Sequence, residues 1–119
     1  MEQNFGTFLA NKRKEKGLTM REFASRLDIT APYLGDIERG RRAAPENKLD
    51  EIASILDLSS QEKDFLFDAA ARTRDNHVSA DISGYIMNTP NARVAVRRAQ
   101  QKDFSDKDWE SVIKFIEGR

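Results

Sequence analysis

Residues 18–42, LTMREFASRLDITAPYLGDIERGRR, constrain the fold more than any other stretch of the chain. Met20, Phe23, Ala24 and Leu27 recur at i, i+3, i+4 and i+7, which places them on one face of a helix. Thr19, with Glu22 three residues on, has capping-box spacing, so this helix should open at about Thr19. Asp28, Ile29 and Thr30 interrupt the pattern. Aspartate tolerates the left-handed conformation that ends helices, and Thr30 before Ala31-Pro32 has the form of a new N-cap with proline in the first turn. The second helix should carry Tyr33, Leu34 and Ile37 toward a core and run to about Arg39. It should stop at Gly40, because glycine takes a positive φ at a helix end without steric cost.

Two short helices joined by a three- or four-residue turn, the second followed by a basic tail, form a helix-turn-helix pattern, although the periodicity by itself fits any helical hairpin. The flanking sequence supplies further helices. Phe5, Phe8 and Leu9 are the expected core positions of a first helix from about Asn4 to Lys16, ended by Gly17. Pro45 suits the first turn of a helix with Leu49, Ile52, Ala53 and Leu56 on one face. Ser59 with Glu62 gives a second capping box, opening a helix with Phe65, Leu66, Ala69 and Ala70 inward. Phe67 falls off that stripe and is expected half exposed, at a dimer contact or as an ordinary surface aromatic.

Residues 73–79, TRDNHVS, are polar and without periodicity, and read as a linker. Beyond them, Ile82, Tyr85 and Ile86 mark a short helix over 80–87, and Thr89-Pro90 opens another that runs to about Lys102. A last helix should start at Ser105, with Asp108 at the capping-box position and Phe104 and Trp109 at hydrophobic-staple spacing. Its apolar stripe of Trp109, Val112, Ile113 and Ile116 needs a cover, whether the first domain, its own neighbours or another chain. The expected organisation is all-α: a helix-turn-helix domain over 1–72, a linker over 73–79, and a helical extension over 80–119 for dimerisation or partner binding.

Composition excludes several classes. The 20 basic and 20 acidic residues cancel, which argues against a non-specific polycation but leaves room for a local basic face. With no cysteine, there is no disulfide framework and no thiolate metal site. His77 is the sole histidine, lies in the polar segment, and reads as a solvated residue rather than a metal ligand. No apolar run approaches the roughly 20 residues of a membrane span, and the opening MEQNFGTF lacks the form of a signal peptide, so a cytoplasmic protein is expected. No nucleophile and base with an orienting partner, no Gly-rich phosphate loop and no metal-ligand cluster appears, so neither catalysis nor a cofactor is expected.

At Arg13, Gly17-Leu18-Thr19, Phe23-Ala24, Leu27, Ile29-Thr30, Tyr33-Leu34 and Ile37-Glu38-Arg39-Gly40 followed by Arg41-Arg42, the chain resembles the Cro/phage-repressor (XRE) helix-turn-helix family of bacterial and phage DNA-binding proteins. The resemblance covers roughly Phe5 to Leu58. It implies a five-helix, lambda-repressor-like domain whose second motif helix, about Ala31 to Arg39, enters the major groove of double-stranded DNA. It also implies a structural ion pair between Arg13 and Glu38. Two positions depart from the family pattern: Met20 stands where glutamine is common, and Asp28 where glycine is common.

Seen against that role, the second motif helix offers Thr30, Ala31, Pro32, Tyr33, Gly35 and Asp36 to base edges. Thr30, Ala31 and Pro32 suit thymine methyls, Asp36 can accept from cytosine N4, and Tyr33 can reach a base or a phosphate. None is a strong reader, so specificity should rest on several weak contacts and on DNA shape. Lys12, Lys14, Lys16, Arg21, Arg39, Arg41 and Arg42 are the candidate phosphate contacts. Arg93, Arg97 and Arg98 lie along one later helix, as a solvated, partner-facing or DNA-facing surface. A single domain of this size makes few contacts, so a two-fold dimer on half-sites one turn apart is the expected assembly. The expected function is a dimeric, sequence-specific transcriptional repressor of phage or mobile-element type. The alternative is an antitoxin-like interaction protein whose C-terminal helices bind a protein partner.

Overall fold

The structure is a computed structural model that describes residues 3–119; residues 1 and 2, the start of the first expected domain, lie outside it. Among the described residues it is all-α, with eight α-helices, one 3₁₀ turn and no strand. The chain divides into two compact units, the first ending at Ile82 and the second spanning Ser83–Arg119.

In the first unit, α1 (Phe5–Glu15) is capped by Asn4, whose side chain accepts from the Thr7 N–H at 2.8 Å. It ends at Gly17, which takes φ +70°. Next, α2 (Met20–Arg26) opens on a complete capping box: the Glu22 N–H donates to Thr19 Oγ1 and the Thr19 N–H to Glu22 Oε1. Asp28 turns the chain at φ 57°, and Thr30 caps α3 (Ala31–Glu38), with Pro32 in its first turn. Gly40, at φ +78°, ends the motif.

After the motif, Pro45 leads into a 3₁₀ turn (Glu46–Lys48) rather than sitting in the first turn of an α-helix, and α4 (Leu49–Ile55) follows. Pro45 has an extended backbone, φ −78° and ψ 97°, and so stands just before the helical residues. The last long helix of this unit, α5 (Ser60–Ala71), opens on the Ser59–Glu62 capping box. Phe5, Phe8, Leu9, Phe23, Leu27, Leu34, Ile37, Leu49, Ile52, Leu56 and Leu66 form one core.

Phe67 differs from expectation. It is buried in the core, while Phe65 is the more exposed of the two and lies with its ring 4.8 Å from that of Phe8. The reason is that both α1 and α4 pack on α5, so its buried surface is wider than a single stripe and takes in Leu66, Phe67, Ala69, Ala70 and Ala71. A buried Phe67 is not available as a dimer contact.

The polar stretch after α5 is tied to the first unit by its own side chains. Thr73 Oγ1 donates to the Ala70 carbonyl and accepts from the Ala44 N–H, and Ser79 Oγ donates to Asp68 Oδ1 at 2.5 Å. Arg74 pairs with Glu46 at 3.1 Å, and His77 lies 3.8 Å from the same carboxylate. Helix α6 (Ala80–Met87) begins here, with Ala80 packed against the first core.

In the second unit, α7 (Pro90–Gln101) follows Thr89, whose side chain makes no capping bond. The Arg93 guanidinium donates to the Ile86 and Met87 carbonyls at the end of α6, and the Ile86 carbonyl also accepts from the Thr89 N–H at 3.2 Å. Helix α8 (Asp106–Glu117) has a complete Ser105–Asp108 capping box, and the Phe104 and Trp109 rings meet edge-on, 5.5 Å apart. Val96, Ala99, Phe104 and Trp109 line one shallow depression between α7 and α8. Ile113, Phe115 and Ile116 are exposed. No helix of the described residues is long and apolar enough to cross a membrane.

Candidate nucleic-acid interface

Helix α3 is held from behind. Leu34 and Ile37 are fully buried, and Arg13 reaches across from α1 to grip its last turn. Arg13 Nε donates to Glu38 Oε2 at 2.8 Å and Nη2 to Oε1 at 3.2 Å, a two-pronged pair. Its Nη1 donates to the Leu18 carbonyl at 2.8 Å, so one guanidinium joins α1, the lead-in to α2 and the end of α3. The crossing of α1 and α3 is close enough that a Cβ on Gly6 would stand 2.4 Å from the Glu38 carbonyl oxygen. No side chain fits there.

The opposite face of α3 is open. Thr30 and Pro32 are exposed, and Ala31, Tyr33 and Asp36 are half-buried, the first two packing in part against the core. The Thr30 hydroxyl already accepts from the Tyr33 N–H at 3.2 Å. Gly35, expected among the outward residues, is buried instead: the Arg39 guanidinium lies on it, with Nη2 only 3.0 Å from where a Cβ would be. The same Nη2 donates to Asp36 Oδ1 at 3.2 Å. Next to this pair, the Arg42 guanidinium stands over the Tyr33 ring, 5.1 Å from its centroid.

Six of the seven candidate phosphate contacts fall into two groups, and Arg21 stands apart on α2. Lys12 is paired with Glu62 and, at 3.2 Å, with Glu15; Lys16 is 3.7 Å from Asp57. Lys14 borders a depression that it shares with Lys12, Glu15 and Glu62. These lysines lie where α1 meets α5 and the end of α4, and two of them face acids. The Lys12 ammonium, then the Ser59 N–H, hold the Glu62 carboxyl down at about 2, and Glu62 first and Glu15 second raise the Lys12 ammonium. Arg39, Arg41 and Arg42 form the other group, exposed at the end of α3, and Arg21 is exposed at the start of α2. Neither Arg21 nor Arg41 has an ion-pair partner among the described residues.

Sequence reasoning places Arg39 at the end of the helix without revealing that its side chain folds back over Gly35. The signal is present, since Gly35 and Asp36 precede it by four and three residues and therefore share its face. Of the C-terminal stripe, Trp109 and Val112 are half-buried, whereas Ile113 and Ile116 remain exposed.

A helix-turn-helix whose second helix is clamped from behind and open in front defines the class. The helix-turn-helix family model matches residues 9–63, from within α1 into the first turn of α5. The chain belongs to the Cro/phage-repressor (XRE) helix-turn-helix family.

It is similar to an uncharacterized HTH-type transcriptional regulator of Sinorhizobium fredii, 39% identical over 62 residues that make up 52% of this chain and 80% of that one. It is also similar to the ImmF control region 10 kDa protein of Bacillus phage phi105, 38% identical over 47% of this chain and 62% of that one. An uncharacterized HTH-type transcriptional regulator of Mycobacterium tuberculosis is 34% identical over 47% of this chain, and the match spans only 40% of that protein's length. No solved structure matches the chain at comparable significance.

Proposed function

We propose that this protein is a sequence-specific DNA-binding transcriptional regulator that docks α3 in the major groove. The observation that carries the reading is the two-sidedness of α3: Leu34, Ile37 and the Arg13–Glu38 pair fix one face, and the other is exposed beside Arg39, Arg41 and Arg42. A rigid helix with an open face and flanking cations is what groove docking requires. The domain over 1–72 carries this contact. Thr30, Ala31, Pro32, Tyr33 and Asp36 face the bases, and Arg21, Arg41 and Arg42 meet phosphates.

The protein acts as a dimeric repressor, and the similarity to a phage control-region protein supports a mobile-element type. One such domain makes too few contacts for tight binding, and pairing on half-sites about 34 Å apart doubles them. The exposed Ile113, Phe115 and Ile116 of α8 supply an apolar surface for that pairing.

Sedimentation of the full chain and of Ile113→Glu with Ile116→Glu tests the assembly, and selection from random-sequence DNA tests the contact. A dimer that the double substitution converts to a monomer, with lower affinity but the same preferred sequence, is the expected result. A monomeric parent chain that enriches no sequence would instead favour a role in which α8 binds another protein.

A further inference from the structure

We propose that Arg39 is the principal base-reading residue of α3, selective for guanine, with Gly35 as its seat and Asp36 as the residue that positions it. The inference rests on the DNA-binding reading of α3. The open face of that helix is poor in bidentate readers: Thr30, Ala31 and Pro32 have no forked donor set, and Asp36 only accepts. Arg39 supplies what is missing.

Although its backbone caps the helix, its side chain runs back by a full turn. Nη1 and Nη2 lie 3.1 and 3.0 Å from the Cβ position of Gly35, and Nη2 bonds Asp36. The guanidinium is thus held over the middle of the exposed face, not at its end, and the side chain is still 52% exposed. Its planar fork matches guanine O6 and N7 in the major groove. The single bond to Asp36 engages one of five N–H donors and leaves the others for the base.

The pair adds little to stability, because exposed pairs at this spacing contribute little, and a mid-helix glycine disfavours the helix. Their joint effect is positional. A fork already restrained before binding loses less rotamer freedom on contact.

The test is selection from random-sequence duplex DNA with the full chain, Arg39→Lys and Asp36→Asn, followed by titration at two salt concentrations. Lysine keeps the charge and removes the fork. The expected result is a guanine at one symmetric position of each half-site, whose preference over the other bases falls about tenfold or more in Arg39→Lys. The other positions and the salt slope should be unchanged, and Asp36→Asn should weaken the same guanine preference. An enriched site that Arg39→Lys leaves intact at every position overturns this assignment alone. A parent chain that enriches no site overturns the DNA-binding reading and this assignment with it.

Discussion

Arg13 and Glu38, 25 positions apart, meet in a two-pronged ion pair whose side chains are only 10% and 6% exposed. Enclosure makes the pair consequential when it is broken, since the carboxylate left behind has neither water nor a counter-charge. Arg13→Ala should lower the unfolding free energy by about 3–5 kcal/mol, whereas replacing both residues by methionine should recover most of that loss. Urea denaturation of the two variants measures both. A loss below about 1 kcal/mol for the single change, the range of exposed pairs, would show that the clamp behind α3 is not a buried one.

Two glycines inside helices should respond to alanine with opposite signs. At Gly6 the added Cβ would meet backbone carbonyl oxygens of Ile37 and Glu38 at 2.6 and 2.4 Å, which cannot give way without moving α3. Gly6→Ala should therefore destabilise the fold by about 1–3 kcal/mol or more. At Gly35 the nearest atoms belong to the tip of the Arg39 side chain, a flexible group that can shift slightly to admit a Cβ while keeping its bond to Asp36. Gly35→Ala should stabilise by about 0.5–1 kcal/mol through helix propensity. Thermal denaturation of both gives the signs; a stabilised Gly6→Ala would mean that α1 and α3 do not cross as described.

Acid should loosen the contact between α1 and α5. Glu62 is held down at about 2 by the Lys12 ammonium and the Ser59 N–H. A depressed carboxyl stabilises the fold above its ordinary range and loses that contribution as pH falls through its folded value. Stability should decline from about pH 4.5 toward pH 2 more steeply in the parent chain than in Glu62→Gln. Denaturation midpoints at pH 6, 4 and 2 would measure it, and parallel curves would remove Glu62 from the acid response.

Arg41→Ala with Arg42→Ala should weaken binding to all DNA sequences alike. Removing one cation from a phosphate should reduce the slope of log affinity against log salt by about 1, so the double change should reduce it by about 2. Lys12→Ala should leave the slope nearly unchanged, because its ammonium is engaged by Glu62 and Glu15. Fluorescence titrations at several salt concentrations separate the two; a larger effect for Lys12 would place DNA on the wrong side of α1.

Much of the fold is legible in the sequence because its signals are local. Thr19 with Glu22, Ser59 with Glu62 and Ser105 with Asp108 all form the capping boxes that their spacing announces. The features that sequence does not reveal depend on packing between elements. Phe67 looks off-stripe because a stripe drawn for one neighbour underestimates a helix covered on two sides, as α5 is. At the interface, charge type is readable but not engagement. Nothing near Lys12 in sequence reveals that Glu62, fifty residues on, takes its ammonium. The burial of Gly35 likewise follows from a rotamer of Arg39.

Selection from random-sequence duplex DNA with the full chain, followed by titration of the enriched site against a scrambled duplex, tests sequence reading by α3 most directly. A dimeric regulator should enrich an inverted repeat with half-site centres about 34 Å apart and bind it far more tightly than the scrambled sequence. Equal binding to both duplexes, or no enrichment at all, would contradict that role.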